Sequence, residues 1–492
     1  MKYISILEAS KKFNLTERSI RNYCTLGRIK GAIRQGKKWL IPENATKPER
    51  INAKGNNYHS LDYNNALSLL DFINHSPCNF LAVDNVINIL KAHGYKEYLE
   101  SDKYDLKSGD KFFITRNHSS LLVVSIGELS ATPYFKVVSA HSDSPCFKIK
   151  PNSDSLTDIY NKINIEPYGG LILSTFLDRP LGIAGRVLYK EDKTIKTSYL
   201  TLKDQTVLIP NVCIHFNRDI NNGYRYDLAT DMQAFISQHL QGEVLKTLIA
   251  SQLKININDI VNYDLYLFNK DLGVIWGVNK EYISSPRLDD LECVFTGLKG
   301  LLNVSNHRDI NILYISDNEE VGSSSRQGAD SDFFDTNMKR ICDCLNIDYY
   351  QALAKSFMIS ADNAHAVHPN KPGLTDSNNK AYMNGGIVIK YNASNSYTSD
   401  AASGAIIQTI MDNHEIPYQF FTNRSDIRGG STLGNILLSH ASIHSVDIGL
   451  PQLAMHSAYE TAGSEDVTHA INLFTSFYKA DIDINGDQYT IK

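Results

Sequence analysis

Glu319 and Glu320 stand side by side after an apolar run, Ile310-Asn-Ile-Leu-Tyr-Ile-Ser316, and before Val321-Gly322-Ser323-Ser324-Ser325. The run reads as a buried strand and the residues after it as a tight loop. Adjacent carboxylates at a strand end repel, which costs stability unless a cation lies between them. A metal site gives the two glutamates separate roles, in which one binds the ion and the other takes a proton from the activated water. A Glu-Glu pair alone is far more often solvated surface, so its meaning depends on the rest of the chain.

Other apolar runs also end in metal-capable residues. Val137-Val-Ser-Ala140 leads to His141, with Asp143 two positions on. Phe357-Met-Ile-Ser-Ala361 leads to Asp362, and Ser445-Val-Asp-Ile-Gly-Leu450 leads through Pro451-Gln-Leu-Ala-Met455 to His456. Open α/β sheets bind ligands at the carboxyl ends of their strands. Carboxylates mixed with imidazoles suit zinc, or manganese and cobalt. Taken singly, a strand-end histidine is usually a satisfied core residue and a strand-end aspartate usually a helix cap. Two histidines, several acids and a spare adjacent glutamate together form the donor set of a two-metal hydrolase.

The elements that must position these residues fill a chain of 492 residues, about three domains by length. Hydrophobic residues make up 42%, enough for a sizeable core. No apolar run approaches the ~20 residues of a membrane span, and Met1-Lys-Tyr-Ile-Ser-Ile-Leu-Glu8 has no signal-peptide character. Seven scattered cysteines without a CxxC predict reduced thiols and a cytoplasmic location. The charge is uneven. Residues 1–50 hold twelve Lys and Arg against four Asp and Glu, a net +8, while the remainder carries −13. A basic head on an acidic body predicts two modules with different partners.

Within residues 1–50, Ile6-Leu-Glu-Ala-Ser-Lys-Lys-Phe13 has helical spacing. Thr16 is an N-cap for a second helix through Leu26, Gly27 ends it, and Ile33-Arg-Gln-Gly-Lys-Lys-Trp-Leu-Ile41 reads as a hairpin. The segment resembles the winged helix-turn-helix domains of the excisionase and MerR-like class, through Glu8-Ala9-Ser10, Thr16-Glu-Arg-Ser-Ile-Arg21, Gly27-Arg-Ile29 and Gly36-Lys-Lys-Trp-Leu-Ile-Pro42. That resemblance implies DNA binding, with Arg18, Arg21, Arg28, Lys37 and Lys38 on phosphates. A protein-binding or purely structural basic module is the plainer alternative.

From residue 57 onward the chain alternates helical and strand-like segments, the pattern of an α/β domain. Residues 150–283 are different, with short β-rich runs such as Gly185-Arg-Val-Leu-Tyr189 and Asp264-Leu-Tyr-Leu-Phe268. They read as an inserted domain between residues 57–149 and 284–492.

Five motifs make residues 57–492 resemble the M18 aminopeptidase family, best known for aspartyl aminopeptidase. They are Ser139-Ala-His-Ser-Asp-Ser-Pro-Cys146, Pro286-Arg-Leu-Asp-Asp290, Asp317-Asn-Glu-Glu-Val-Gly-Ser323, Ser360-Ala-Asp-Asn-Ala-His-Ala-Val-His-Pro369 and Pro451-Gln-Leu-Ala-Met-His-Ser457, in family order. The resemblance implies a zinc-peptidase (phosphorylase/hydrolase-like) α/β/α catalytic domain with a β-rich oligomerisation domain inserted at 150–283. It implies two Zn²⁺ per subunit, with Mn²⁺ or Co²⁺ as substitutes. Asp289 would bridge the ions, His141 and Asp362 would complete one site, and Glu320 and His456 the other. Asp143 would orient His141, and Glu319 would be the general base. His215, in Ile209-Pro-Asn-Val-Cys-Ile-His-Phe-Asn-Arg218, would serve a neighbouring subunit's site. Lys390 would contact an acidic substrate side chain. The family implies short peptide substrates and homo-oligomers, often dodecamers.

The chain departs from the family pattern near the substrate. Asp290 replaces a usual Asn, Asp426-Ile-Arg-Gly429 stands where Asp-Ser-Pro-Cys is common, and Lys371-Pro-Gly373 where a Tyr is common. The basic N-terminal module is also an addition. The expected function is therefore a metalloaminopeptidase acting on N-terminal residues, acidic ones among them. The alternatives are a DNA-binding regulator with a peptidase body as scaffold or sensor, or a deacylase on the same scaffold.

Overall fold

The computed structural model describes residues 2–13, 20, 21, 24, 29, 32–35, 38–46, 63–427 and 429–492. The chain divides into two compact units, Met1–Leu61 and Asp62–Lys492.

In the first unit the helix Ile6–Phe13 begins at a capping box. The Ser5 amide donates to Glu8 Oε2 at 2.7 Å and the Glu8 amide donates back to Ser5 Oγ at 3.3 Å. The hairpin Ile33–Gln35 and Lys38–Pro42 is joined by a strand that the sequence pattern did not reveal, Tyr3–Ser5, which pairs antiparallel with Lys38–Pro42. Ala9, Phe13, Ile20, Cys24, Ile29 and Ile41 form a small core. Arg21 and Lys38 are exposed. Most of the expected second helix, and Arg18, Arg28 and Lys37 with it, lies outside the described residues.

The second unit is α/β. Among the described residues its main sheet has nine strands in the order Tyr418–Thr422, Ile387–Tyr391, His444–Gly449, Phe357–Ala361, Phe135–His141, Ile310–Ser316, Ser120–Ile126, Lys111–Arg116, Lys96–Tyr98. The four strands from His444–Gly449 through Ile310–Ser316 are mutually parallel. Side chains alternate between the faces, as strand geometry requires. Leu313 and Ile315 join one core with the helices Asn64–Asn74, Asn79–Ala92, Leu288–Leu302, Ala401–Asn413 and Asp466–Lys479. Ile312 and Tyr314 join another with Phe333–Leu345 and Leu433–His440. The result is a three-layer α/β/α arrangement, whose parallel strands are apolar on both faces because both are covered.

Between Cys146 and Asn269 the chain builds a separate six-stranded antiparallel sheet with its own core, including Phe147, Ile165, Ile183 and Leu265. A smaller five-stranded sheet joins Val274–Trp276, Tyr282–Ser285, Glu460–Gly463, Pro451–Leu453 and Ala364–His365. Two of its strands, Ala364–His365 and Pro451–Leu453, continue from the main-sheet strands Phe357–Ala361 and His444–Gly449. Among the described residues no helix is long and apolar enough to cross a membrane.

Candidate metal centre

Register aligns the chemistry at the carboxyl ends of the central strands of the main sheet. Ser316 pairs with His141, and Ser139 pairs with Ser360. His141, Asp362 and the turn after Asp317 therefore emerge together. Asp362 is tied down by its amide, which donates to the Ile448 carbonyl at 3.1 Å. Glu319 and Glu320 occupy a single 3₁₀ turn bounded by Asn318 and Gly322, both at positive φ. Asp289 and Asp290 begin the helix Leu288–Leu302 with non-helical backbone and a cis peptide between them.

Asp289 lies at the middle of this group. Its Oδ1 is 3.6 Å from His141 Nε2 and its Oδ2 is 3.5 Å from His456 Nε2. Glu320 Oε2 is 3.3 Å from the same His456 nitrogen. Ligand-capable atoms cluster as His141, Asp289, Asp290 and Asp362; as His141, Glu319 and Glu320; and as Asp289, Glu320 and His456. The five expected ligands and Glu319 thus meet in one place. Both imidazoles present Nε2 to Asp289 because Nδ1–H is engaged elsewhere. His141 donates to the Asp143 carbonyl at 3.1 Å, and His456 donates to the Gly170 carbonyl at 2.8 Å.

The electrostatics are those of an acid-rich pocket. Burial and then Asp289 push the Glu320 carboxyl well above its usual range. Burial likewise lifts Asp290 and, against the pull of Lys390, Asp362. Glu319 is pushed up to about 8 by burial, with Asp362, Asp143 and Asp289 adding to it. Burial acts on Asp289 too, but the imidazoles of His456 and His141 outweigh it and hold that carboxyl below the usual range. Asp289 Oδ1, Asp290 Oδ1 and Glu320 Oε1 are buried without a hydrogen-bond partner. Buried polar atoms are rarely left so. Orphaned carboxylate oxygens facing imidazole nitrogens are a donor set that fits divalent cations.

A family model described as "Aminopeptidase I zinc metalloprotease (M18)" matches residues 72–478. The chain belongs to the M18 family. It is a metal-dependent aminopeptidase. It is 43% identical over 424 residues to the "Probable M18 family aminopeptidase 2" of Clostridium acetobutylicum, covering 84% of this chain and 98% of that one. Among solved structures it is similar to a chain in the cryo-EM structure of the Ape4 and Nbr1 complex (TM-score 0.81, 31% identity, covering 84% and 85% of the two chains). It is also similar to the S. cerevesiae mApe1 dodecamer (TM-score 0.75, 26% identity, 85% and 97%).

Against the M18 expectations, Asp143 has a wider role than orienting His141. Its carboxylate lies 3.4 Å from His141 Nδ1 and accepts the amides of Glu319 and Glu320, each at 3.2 Å. Lys390 is buried, and its ammonium donates to the carbonyls of Asp362 at 2.8 Å and Asn363 at 3.3 Å. It supports the strand end that carries Asp362. The neighbouring cleft of this M18 chain is lined instead by His365, Phe421, Asn423, Arg424, Gln452 and Leu453. His215 is exposed and stands apart from the carboxylate and imidazole groups of the cluster.

Two buried acids were not singled out as site residues by the sequence. Glu460 accepts the His456 amide at 2.7 Å and the Asp289 amide at 3.1 Å, so one side chain fixes two distant ligand segments. Asp290 Oδ2 accepts the His141 amide at 3.1 Å. Asp290 had a signal, its adjacency to Asp289. Glu460 had none, because its partners are brought together only by the tertiary fold.

Proposed function

We propose that this enzyme holds two divalent cations and releases the N-terminal residue of short peptides. His141 and Asp362 would hold one cation, Glu320 and His456 the other, and Asp289 would bridge them. The observation carrying this reading is that the two oxygens of one buried aspartate face imidazoles on opposite sides at 3.6 and 3.5 Å. Zinc fits these donors, and manganese and cobalt accept the same set. Bound there, such ions acidify a water and polarise the substrate carbonyl. Glu319 takes the proton of the attacking water and returns it to the leaving amine. Glu319 lies in the cluster with His141 and Glu320, where a carboxylate can take a proton and give it back. Asp143 keeps Glu319 in place through its amide.

His215 would face the substrate of an adjoining subunit. Its loop exposes Val212, Ile214 and Phe216, apolar residues suited to burial between copies. A homo-oligomer follows, for which the dodecameric mApe1 relative supplies the precedent. An acidic first residue is the substrate class to test first. Its expected partner, Lys390, would have to give up both carbonyls to reach it.

The basic N-terminal unit, with Arg18, Arg21, Arg28, Lys37 and Lys38, carries a second, independent reading as a DNA contact. The net charge of +8 over residues 1–50 favours it.

The test of the main reading is turnover of acidic, neutral and basic aminoacyl amides, with a chelator control and with the substrate amine blocked. Chelator-sensitive release that needs the free amine is expected. Turnover of amine-blocked substrates would point to a deacylase instead.

A further inference from the structure

The strand Tyr160–Tyr168 belongs to the six-stranded sheet, yet its end runs along the acidic cluster. The Tyr168 hydroxyl, buried, donates to Asp143 Oδ2 at 2.8 Å and accepts from Asn318 Nδ2 at 2.8 Å. Asn318 opens the turn of Glu319 and Glu320, and its own Oδ1 accepts from Ser325 Oγ and Gln327 Nε2. One phenol therefore secures both the carboxylate that receives the two glutamate amides and the residue that starts their turn. Gly169 has φ +78°, and a Cβ placed on it would lie 3.2 Å from the Glu320 Cβ. The Gly170 carbonyl takes the Nδ1–H of His456, and the Ile172 amide donates to the His456 carbonyl at 3.1 Å.

We propose that Tyr168–Ile172 is a strap by which the six-stranded sheet sets the geometry and cation affinity of the Glu320–His456 half, with Tyr168 as a positioning residue. This rests on the ligand reading above. Without the phenolic hydroxyl, the Asp143 carboxylate loses a charge-assisted hydrogen bond in a buried setting and is freer to turn. The amides of Glu319 and Glu320 then lose their fixed acceptor. The contact with Gly170 selects the His456 tautomer whose Nε2 faces Asp289 and Glu320. Outer partners of this kind change metal affinity without touching the metal.

The experiment is zinc competition against a chromophoric chelator, with kcat and KM, for the wild type, Tyr168→Phe, Gly169→Ala and the control Gly94→Ala. The wild type binds zinc in two classes of site. Tyr168→Phe weakens one class by roughly 10- to 100-fold and lowers kcat more than KM, and excess zinc restores much of the turnover. Gly169→Ala does the same, because its backbone and the Glu320 side chain both resist a methyl group. Gly94→Ala keeps wild-type zinc affinities, since it has the same left-handed backbone (φ +80°) but its Cβ would meet nothing within 4 Å. Wild-type zinc affinities in both Tyr168→Phe and Gly169→Ala would overturn the strap. A wild type that binds no zinc would instead overturn the ligand reading. If Tyr168→Phe fails to fold, the contrast between the two glycine variants still decides.

Discussion

The two halves of the metal centre are supported in different ways. His141 and Asp362 extend directly from adjacent parallel strands, and the His141 side chain is only 1% exposed. Glu320 sits in a one-turn helix and His456 in a loop at φ +68°, and the His456 side chain is 31% exposed. The first half starts from the ends of the sheet strands, with Asp290 on the His141 amide and Lys390 on the Asp362 carbonyl as braces. The second is assembled from loops that distant residues (Asp143, Tyr168, Gly170, Glu460) hold in place. One half is fixed mainly by where two strands end, and the other mainly by side chains that reach it from distant segments.

The sharpest way to break this comparison is metal removal. A chelator titration of the zinc-loaded enzyme should release metal in two steps, the Glu320–His456 half first, with activity lost in that first step. His456→Ala should keep only the slower step. Metal analysis during titration checks this, and release in one step from the wild type would erase the difference between the halves.

Stability should separate them next. His141→Ala removes a buried imidazole from the Asp143 carbonyl and Asp289, which costs about 1–3 kcal/mol. His456→Ala, at a more exposed imidazole, should cost less. Denaturant unfolding of the metal-free variants measures both, and equal costs would contradict the comparison.

A smaller effect is expected from Lys390→Met. With the ammonium on the carbonyls of Asp362 and Asn363, the substitution should weaken zinc at the Asp362 half by roughly 10-fold. The ratio of acidic to neutral substrate turnover should be unchanged. A collapse of that ratio with metal retained would return Lys390 to the substrate.

Much of this centre was legible in the sequence for a physical reason. A parallel strand covered on both faces is a continuous apolar run, so the polar residue that ends it stands out, as His141, Asp362 and the Glu319–Glu320 pair do. Asp289 did not stand out. It lies at an irregular helix start with no periodic pattern around it, and only the family resemblance singled it out. Tyr168 and Glu460 were invisible, because each acts on residues more than twenty positions away or through main-chain amides. The strand Tyr3–Ser5 was missed because three residues are too few for alternation to register. The bonds of Lys390 to the carbonyls of Asp362 and Asn363 depend on the packing around it, which residue spacing does not encode.

The most direct measurement is Glu319→Gln, with metal content and turnover determined on the same preparation. If two bound cations and a separate proton carrier divide the chemistry, this variant retains its full complement of metal and loses about 10²- to 10⁴-fold in kcat. Near-normal turnover with metal retained would remove Glu319 from the mechanism, and loss of metal together with activity would make it a ligand rather than the base.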